Sequence, residues 1–207
     1  MSLLTLDGGT YYHGETLYGA RFAGRFGRIL PALTVSEAEI AAQGTGWIII
    51  PDRLNAGLLR RLRPWLLSHL HRGGTLVVFG ENGAHRWLPQ VAWSFRPTNF
   101  WWWLDPTASV GHRVVRPHHP LFRHVQPADT VWHFHGVLHP PAGVETLIAL
   151  EDGQGALMVD DSVTTPGRLL LTTLDPFYHH GSHFMPATTR FLEGFLSWVA
   201  AETSVFA

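Results

Sequence analysis

Four short apolar runs punctuate the chain, and each stops at a turn-forming or acidic residue. They are Leu3–Leu6, Trp47–Ile50, Leu76–Phe79 and Leu169–Leu174, ending at Asp7-Gly8-Gly9, Pro51-Asp52, Gly80-Glu81 and Asp175-Pro176. Near-continuous apolar runs of this length predict strands covered on both faces, as in a parallel sheet. Ile29–Val35 reads as a further strand, which Pro31 moves to an edge. Between the runs the period becomes helical. Ser36-Glu37-Ala38-Glu39 has capping-box spacing and predicts a short helix over 37–43. Asn55 is an N-cap for a helix to Arg72, with Leu58, Leu59, Leu62, Leu66 and Leu70 on one face and Gly73-Gly74 ending it. Pro64 inside that helix predicts a kink or break. Helices are also expected over Glu15–Phe26, Ala84–Leu88 and Thr188–Ala200. Strands alternating with helices argue for a parallel sheet with helices on both faces.

The middle of the chain is less regular. Asn99–Leu104 holds Trp101-Trp102-Trp103 and reads as a strand with large side chains on both faces. Gly111–Arg116 and Thr130–Leu138 read as strands. Leu147–Leu150 and Ala156–Val159 form a hairpin across Glu151-Asp152-Gly153. No repeat, low-complexity tract or linker appears, so residues 1–207 read as a single domain.

Composition narrows the functional classes. With 45% hydrophobic and 15% charged residues, the chain has the makings of a full core and is not disordered. No run approaches the roughly 20 apolar residues of a membrane span. Met1-Ser2-Leu3-Leu4 shows no basic, apolar leader, so a cytoplasmic location is expected and no membrane partner. A net charge of −1 gives no reason to expect a nucleic-acid partner. There is no cysteine, which excludes thiolate nucleophiles and thiolate metal sites; all fifteen basic residues are arginine, which excludes lysine Schiff-base chemistry. The low charge and the tryptophan run together predict a homodimer or larger assembly.

Ligands of open parallel sheets bind beyond the carboxyl ends of the strands. Asp7, Asp52, Glu81 and Asp175 all stand at such ends, with His13, His85, His179, His180 and His183 close by in sequence. Aspartates also end strands simply because they suit turns and caps, and Glu81 can equally be a solvated or ion-paired surface group. Glu has no turn preference, so Glu81 carries the most weight. We expect Asp7, His13, Asp52, Glu81, Asp175 and His179 or His180 to converge in one crevice. A strand through Trp132-His133-Phe134-His135 would put His133 and His135 on one face, where two imidazoles can ligate a divalent metal. No HExxH, cysteine pair or complete ligand triplet accompanies them, so they remain weak metal candidates and no cofactor is expected. The tryptophan run suits a core or interface better than a sugar pocket.

Phe79-Gly80-Glu81-Asn82-Gly83, after a buried strand, resembles the G-x-C-x-G nucleophile elbow of class I glutamine amidotransferases. The tail from Gly167-Arg168 through Leu174-Asp175-Pro176-Phe177-Tyr178-His179-His180-Gly181, then Met185-Pro186-Ala187-Thr188 and Phe195-Leu196-Ser197-Trp198, is similar to the ThuA-like branch of that superfamily. His119-Pro120-Leu121-Phe122 resembles its HPL connector. The resemblance implies a flavodoxin-like three-layer α/β/α sandwich with a mostly parallel central sheet. It departs from the amidotransferases where chemistry matters: Glu81 holds the cysteine position and Phe79 replaces the first glycine. Glutaminase chemistry is therefore not expected, since a carboxylate is a poor nucleophile toward an amide. ThuA-like relatives lack that cysteine too, and their link to carbohydrates implies a small polar, carbohydrate-related ligand. Two readings stand. In one, the crevice only binds, with Asp7, His13, Asp52 and Asp175 in contact with a small molecule. In the other, Glu81 with His179 or His180 performs acid–base hydrolysis, with or without a metal.

Overall fold

The computed structural model describes residues 2–97, 100–105 and 107–204. The chain begins β1 (Leu3–Asp7), α1 (Tyr11–Tyr18), β2 (Arg28–Pro31), α2 (Glu37–Ala41), β3 (Trp47–Ile50), α3 (Ala56–His71) and β4 (Thr75–Val78). Six strands follow: β5 (Trp93–Phe95), β6 (His112–Val114), β7 (Gly136–Leu138), β8 (Glu145–Leu150), β9 (Ala156–Asp161) and β10 (Arg168–Thr172). The helices α4 (Pro176–Gly181) and α5 (Pro186–Ser204) close the chain.

All ten strands join one sheet in the order β2-β1-β3-β4-β10-β9-β7-β5, with β8 on β9 and β6 on β8. The pairings from β2 to β10 are parallel, and every pairing beyond β10 is antiparallel. The sheet is thus mixed, not mostly parallel. The reason lies in the connections. Parallel neighbours need a crossover of a dozen or more residues, usually helical, while short loops reverse direction. Between β4 and β10 the described connections hold 3-10 turns and irregular loops but no α-helix, and the strands β5–β9 that they join pair antiparallel. Counted alone, the parallel half has the 2-1-3-4-5 order of flavodoxin-like sheets, with β10 as its fifth strand.

Alternation along each central strand feeds two cores. Trp47, Ile49, Val77 and Leu170 pack with Phe177 of α4 and with Phe191, Phe195 and Trp198 of α5. Ile48, Ile50, Leu76 and Leu169 pack with Leu59, Leu62, Leu66 and Leu70 of α3. The caps are those expected. Ser36 Oγ accepts from the Glu39 N–H at 3.3 Å while Glu39 Oε2 accepts from the Ser36 N–H at 3.0 Å. Asn55 Oδ1 accepts from Gly57 and Leu58 at 2.8 and 3.1 Å. β2 is an edge strand, as Pro31 requires, and β8 with β9 is the expected hairpin.

Several local expectations give way. The helix expected over Glu15–Phe26 is Tyr11–Tyr18, after which Gly19 caps it and Gly24 takes a left-handed φ of 78°. Phe22 and Phe26 remain buried without helical backbone. α3 runs through Pro64 without a break. The proposed strand Asn99–Leu104 begins outside the described residues at Asn99, and Trp102–Leu104 form a 3-10 turn. Asp105 Oδ1 ends that turn by accepting from the Thr107 N–H at 2.8 Å. Thr130–Leu138 is a strand only over Gly136–Leu138, so His133 and His135 lie in irregular backbone and not on a strand face.

Candidate functional site

The parallel strands β1, β3, β4 and β10 end along one edge of the sheet, which places Asp7, Asp52, Glu81 and Asp175 on that side. Their roles differ. Asp52 is fully buried and caps α4 from across the sheet, its Oδ2 and Oδ1 accepting from the Phe177 and Tyr178 N–H groups at 2.7 and 3.0 Å. That leaves Asp175, which precedes α4, without a capping bond of its own. Its buried carboxylate instead faces inward: Oδ2 accepts from Arg53 Nη2 at 2.8 Å and Oδ1 from Trp132 Nε1 at 3.2 Å. His179 Nε2 stands 3.3 Å from the same Oδ1, close enough for an ion pair when the ring is protonated but short of hydrogen-bond geometry. Burial pushes the Asp52 carboxyl well above its ordinary range, and the neighbouring Asp175 charge adds to that. Burial acts on Asp175 too, but His179 and Arg53 outweigh it and hold that carboxyl below its ordinary range.

Glu81 follows β4 in a left-handed backbone conformation with φ of 61°, and Arg53 sits opposite with φ of 58°. Non-glycine residues in this region carry strain of roughly 1 kcal/mol or more, and such strain gathers at functional sites. Two neighbours enforce the turn. Asn82 is buried; its Oδ1 accepts from Leu54 N–H at 2.6 Å and its Nδ2 donates to the Pro51 and Phe79 carbonyls at 2.7 and 2.9 Å. Gly80 lies so close to Thr173 that an added Cβ would run into the Thr173 carbonyl. The Glu81 side chain, 26% exposed, places Oε2 3.5 Å from Arg53 Nη2 and Oε1 3.5 Å from His135 Nδ1. Arg53 also lies over the Tyr178 ring at 3.8 Å, so one guanidinium ties both acids to α4.

Three imidazoles surround these acids. The His133 ring stands 4.7 Å from His179 and 5.3 Å from His135. Burial, then the adjacent His179, lowers the His133 pKa to about 4, so it is neutral at pH 7. His133 Nδ1, His135 Nε2 and both nitrogens of His179 are buried and have no hydrogen-bond partner among the described residues. Beside Glu81 lies a crevice of about 310 Å³ lined by Glu81, His85, Trp93, His135 and Thr173 among others. The His85 ring stacks on Trp93 at 5.0 Å and 7°.

Other expected members stand apart. His13 is buried, accepts from the Gly8 N–H at Nδ1 (3.2 Å) and so donates from Nε2 to the Asp52 carbonyl at 2.9 Å, a brace for the loop. Asp7 accepts from the Tyr18 hydroxyl and the Gly9 N–H at 2.9 and 2.8 Å. His180 bonds Thr189 at 2.7 Å and packs on Phe22, facing α5. The imidazole that meets Glu81 is therefore His135, where the sequence suggested His179 or His180. Arg53, Asn82 and Trp132 were not legible as site residues. Asn82 and Trp132 left only a trace, their places in the Gly80-Glu81-Asn82-Gly83 turn and the Trp132-His133-Phe134-His135 segment.

No family model matches the sequence, and no curated protein does. Solved structures resemble the fold. The cytoplasmic protein STM3548 from Salmonella typhimurium aligns over 96% of this chain and 98% of its own, with a TM-score of 0.59 and 13% identity. A ThuA-like protein from Bacteroides uniformis aligns over 96% and 90%, with a TM-score of 0.52 and 11% identity. The exo-β-1,4-mannosidase Op5Man5 from an Opitutaceae bacterium aligns over 99% of this chain but 36% of its own, with a TM-score of 0.51 and 14% identity. Identities this low speak to architecture alone. This chain has a ThuA-like fold.

Proposed function

We propose that this chain is a ThuA-like domain that binds a small polar, carbohydrate-related ligand in the Glu81 crevice and carries no glutaminase chemistry. The observation that carries the reading is the crevice itself. It pairs a strained, ion-paired carboxylate with the planar Trp93–His85 stack. A ring face beside a few convergent polar groups suits a molecule with both hydroxyls and an apolar C–H face. Glycosidases among the structural neighbours make carbohydrates the first class to screen. Hydrolysis is the second reading, favoured by the approach of Glu81 to His135. Glu81 would exchange a proton there while Arg53 holds it in place.

Saturation-transfer NMR with neutral sugars, keto-sugars and sugar acids, against free amino acids as controls, tests the proposal. One sugar class is expected to bind; Trp93→Ala, which removes the ring face, and Glu81→Gln, which removes the charged acceptor, should each weaken it about tenfold. Binding untouched by both substitutions, or no binding by any sugar, would sink it.

A further inference from the structure

We propose that Glu81, His135 and Asp175 form a binding site for a divalent cation of the zinc class. One donor atom from each residue lies within 4.8 Å of the other two, close enough for small side-chain shifts to bring all three onto a single ion. The set is one imidazole and two carboxylates, which suits zinc and similar borderline cations. Three protein donors leave a further position, and Glu81 and His135 both line the crevice, so that position opens toward it. The inference needs only these donors and does not rest on the crevice taking a sugar.

A second, independent feature points the same way. His179 is 1% exposed, yet among the described residues neither of its nitrogens has a hydrogen-bond partner, and Nε2 points to within 3.3 Å of Asp175 Oδ1. His135 Nε2 and His133 Nδ1 are likewise buried and unpartnered. Buried polar atoms are normally satisfied, and these four unpaired nitrogens gather beside the same acids. Arg53 does not bar the site. It engages Asp175 Oδ2, but a carboxylate offers about four acceptor positions, and Arg53 and Trp132 account for two hydrogen bonds. Two carboxylates facing one guanidinium also leave an excess of negative charge for a cation to offset. In this arrangement Trp132 and Arg53 orient Asp175, as outer partners of metal ligands usually do.

The test uses the full chain stripped with chelator, then titrated with Zn²⁺ alone by calorimetry and with Co²⁺ alone by visible absorption. We expect one ion per chain, with imidazole NMR shifts on adding Zn²⁺ confined to His135, His133 and His179. Glu81→Gln and His135→Gln, both at partly exposed side chains, should weaken binding roughly 10- to 100-fold or more. His118→Gln, on an exposed loop, should leave binding unchanged. The proposal is overturned if no ion binds in stoichiometric amount. It is equally overturned if the shifts fall on exposed histidines such as His118, or if both crevice variants bind as the parent does. The wild-type NMR result stands even if a variant fails to fold. Sugar binding measured separately keeps failure here distinct from failure of the ligand reading.

Discussion

Replacing Asp175 with asparagine removes one charge from the centre of the site while keeping its size. The carboxylate is fully buried and bonded to Arg53 at 2.8 Å and Trp132 at 3.2 Å. Removing one partner of a buried pair costs about 3–5 kcal/mol. Two features reduce that here. The Arg53 side chain is 27% exposed, so water takes up part of its charge, and Asp52 loses the neighbour that opposes its ionisation. Asparagine keeps one acceptor for Trp132 or Arg53. We therefore expect a loss of about 2–3 kcal/mol at pH 7, read as the shift in urea midpoint at unchanged slope. The pH dependence fixes the cause. Asp175 has a depressed folded pKa, so its contribution is present above the ordinary carboxylate value of about 4 and is lost as pH falls through the folded value. The gap between parent and variant should therefore be full at pH 7 and shrink below about pH 4. Asp52, whose pKa is raised, runs the other way: its contribution is present at low pH and is lost as pH rises through the folded value, so Asp52→Asn should compare best with the parent at high pH. An Asp175→Asn variant within about 1 kcal/mol of the parent at pH 7, the level of an exposed pair, refutes the argument. So does a gap that stays constant from pH 7 to pH 3.

Two further substitutions separate backbone effects from chemistry. Pro64 is exposed inside α3, where it removes a helix hydrogen bond, so Pro64→Ala should gain about 1–2 kcal/mol in urea unfolding; a loss would mean the ring packs or bends α3 usefully. Glu81→Gly relieves the left-handed strain but adds unfolded-state freedom, for a net gain of up to about 1 kcal/mol. Calorimetry should show a melting temperature raised by up to roughly 4 °C while Zn²⁺ binding falls away. A lowered melting temperature would show that the Glu81 ion pairs outweigh the strain.

The sequence by itself determined what depends on neighbours a few residues away. The apolar runs of β1, β3, β4 and β10 specify strands buried on both faces, because large apolar side chains follow one another with only threonine between them. Ser36 and Asn55 specify helix starts, because a cap bonds within three residues of itself. The elbow-like turn at Glu81 and the acids at the strand ends were legible for the same local reason. Tertiary structure decided the direction of the strands after β4, since pairing partners there are chosen by loop length and packing across the sheet. It turned the tryptophan run and the His133–His135 segment away from the strand that their spacing suggested. It also set which acid does what. Asp52 caps a helix 125 residues further on, which frees Asp175 to meet Arg53, 122 residues before it, and Trp132. No pattern along the chain encodes such pairings, because an ion pair or trans cap is fixed by where the folded backbone brings two groups, and not by their spacing in sequence.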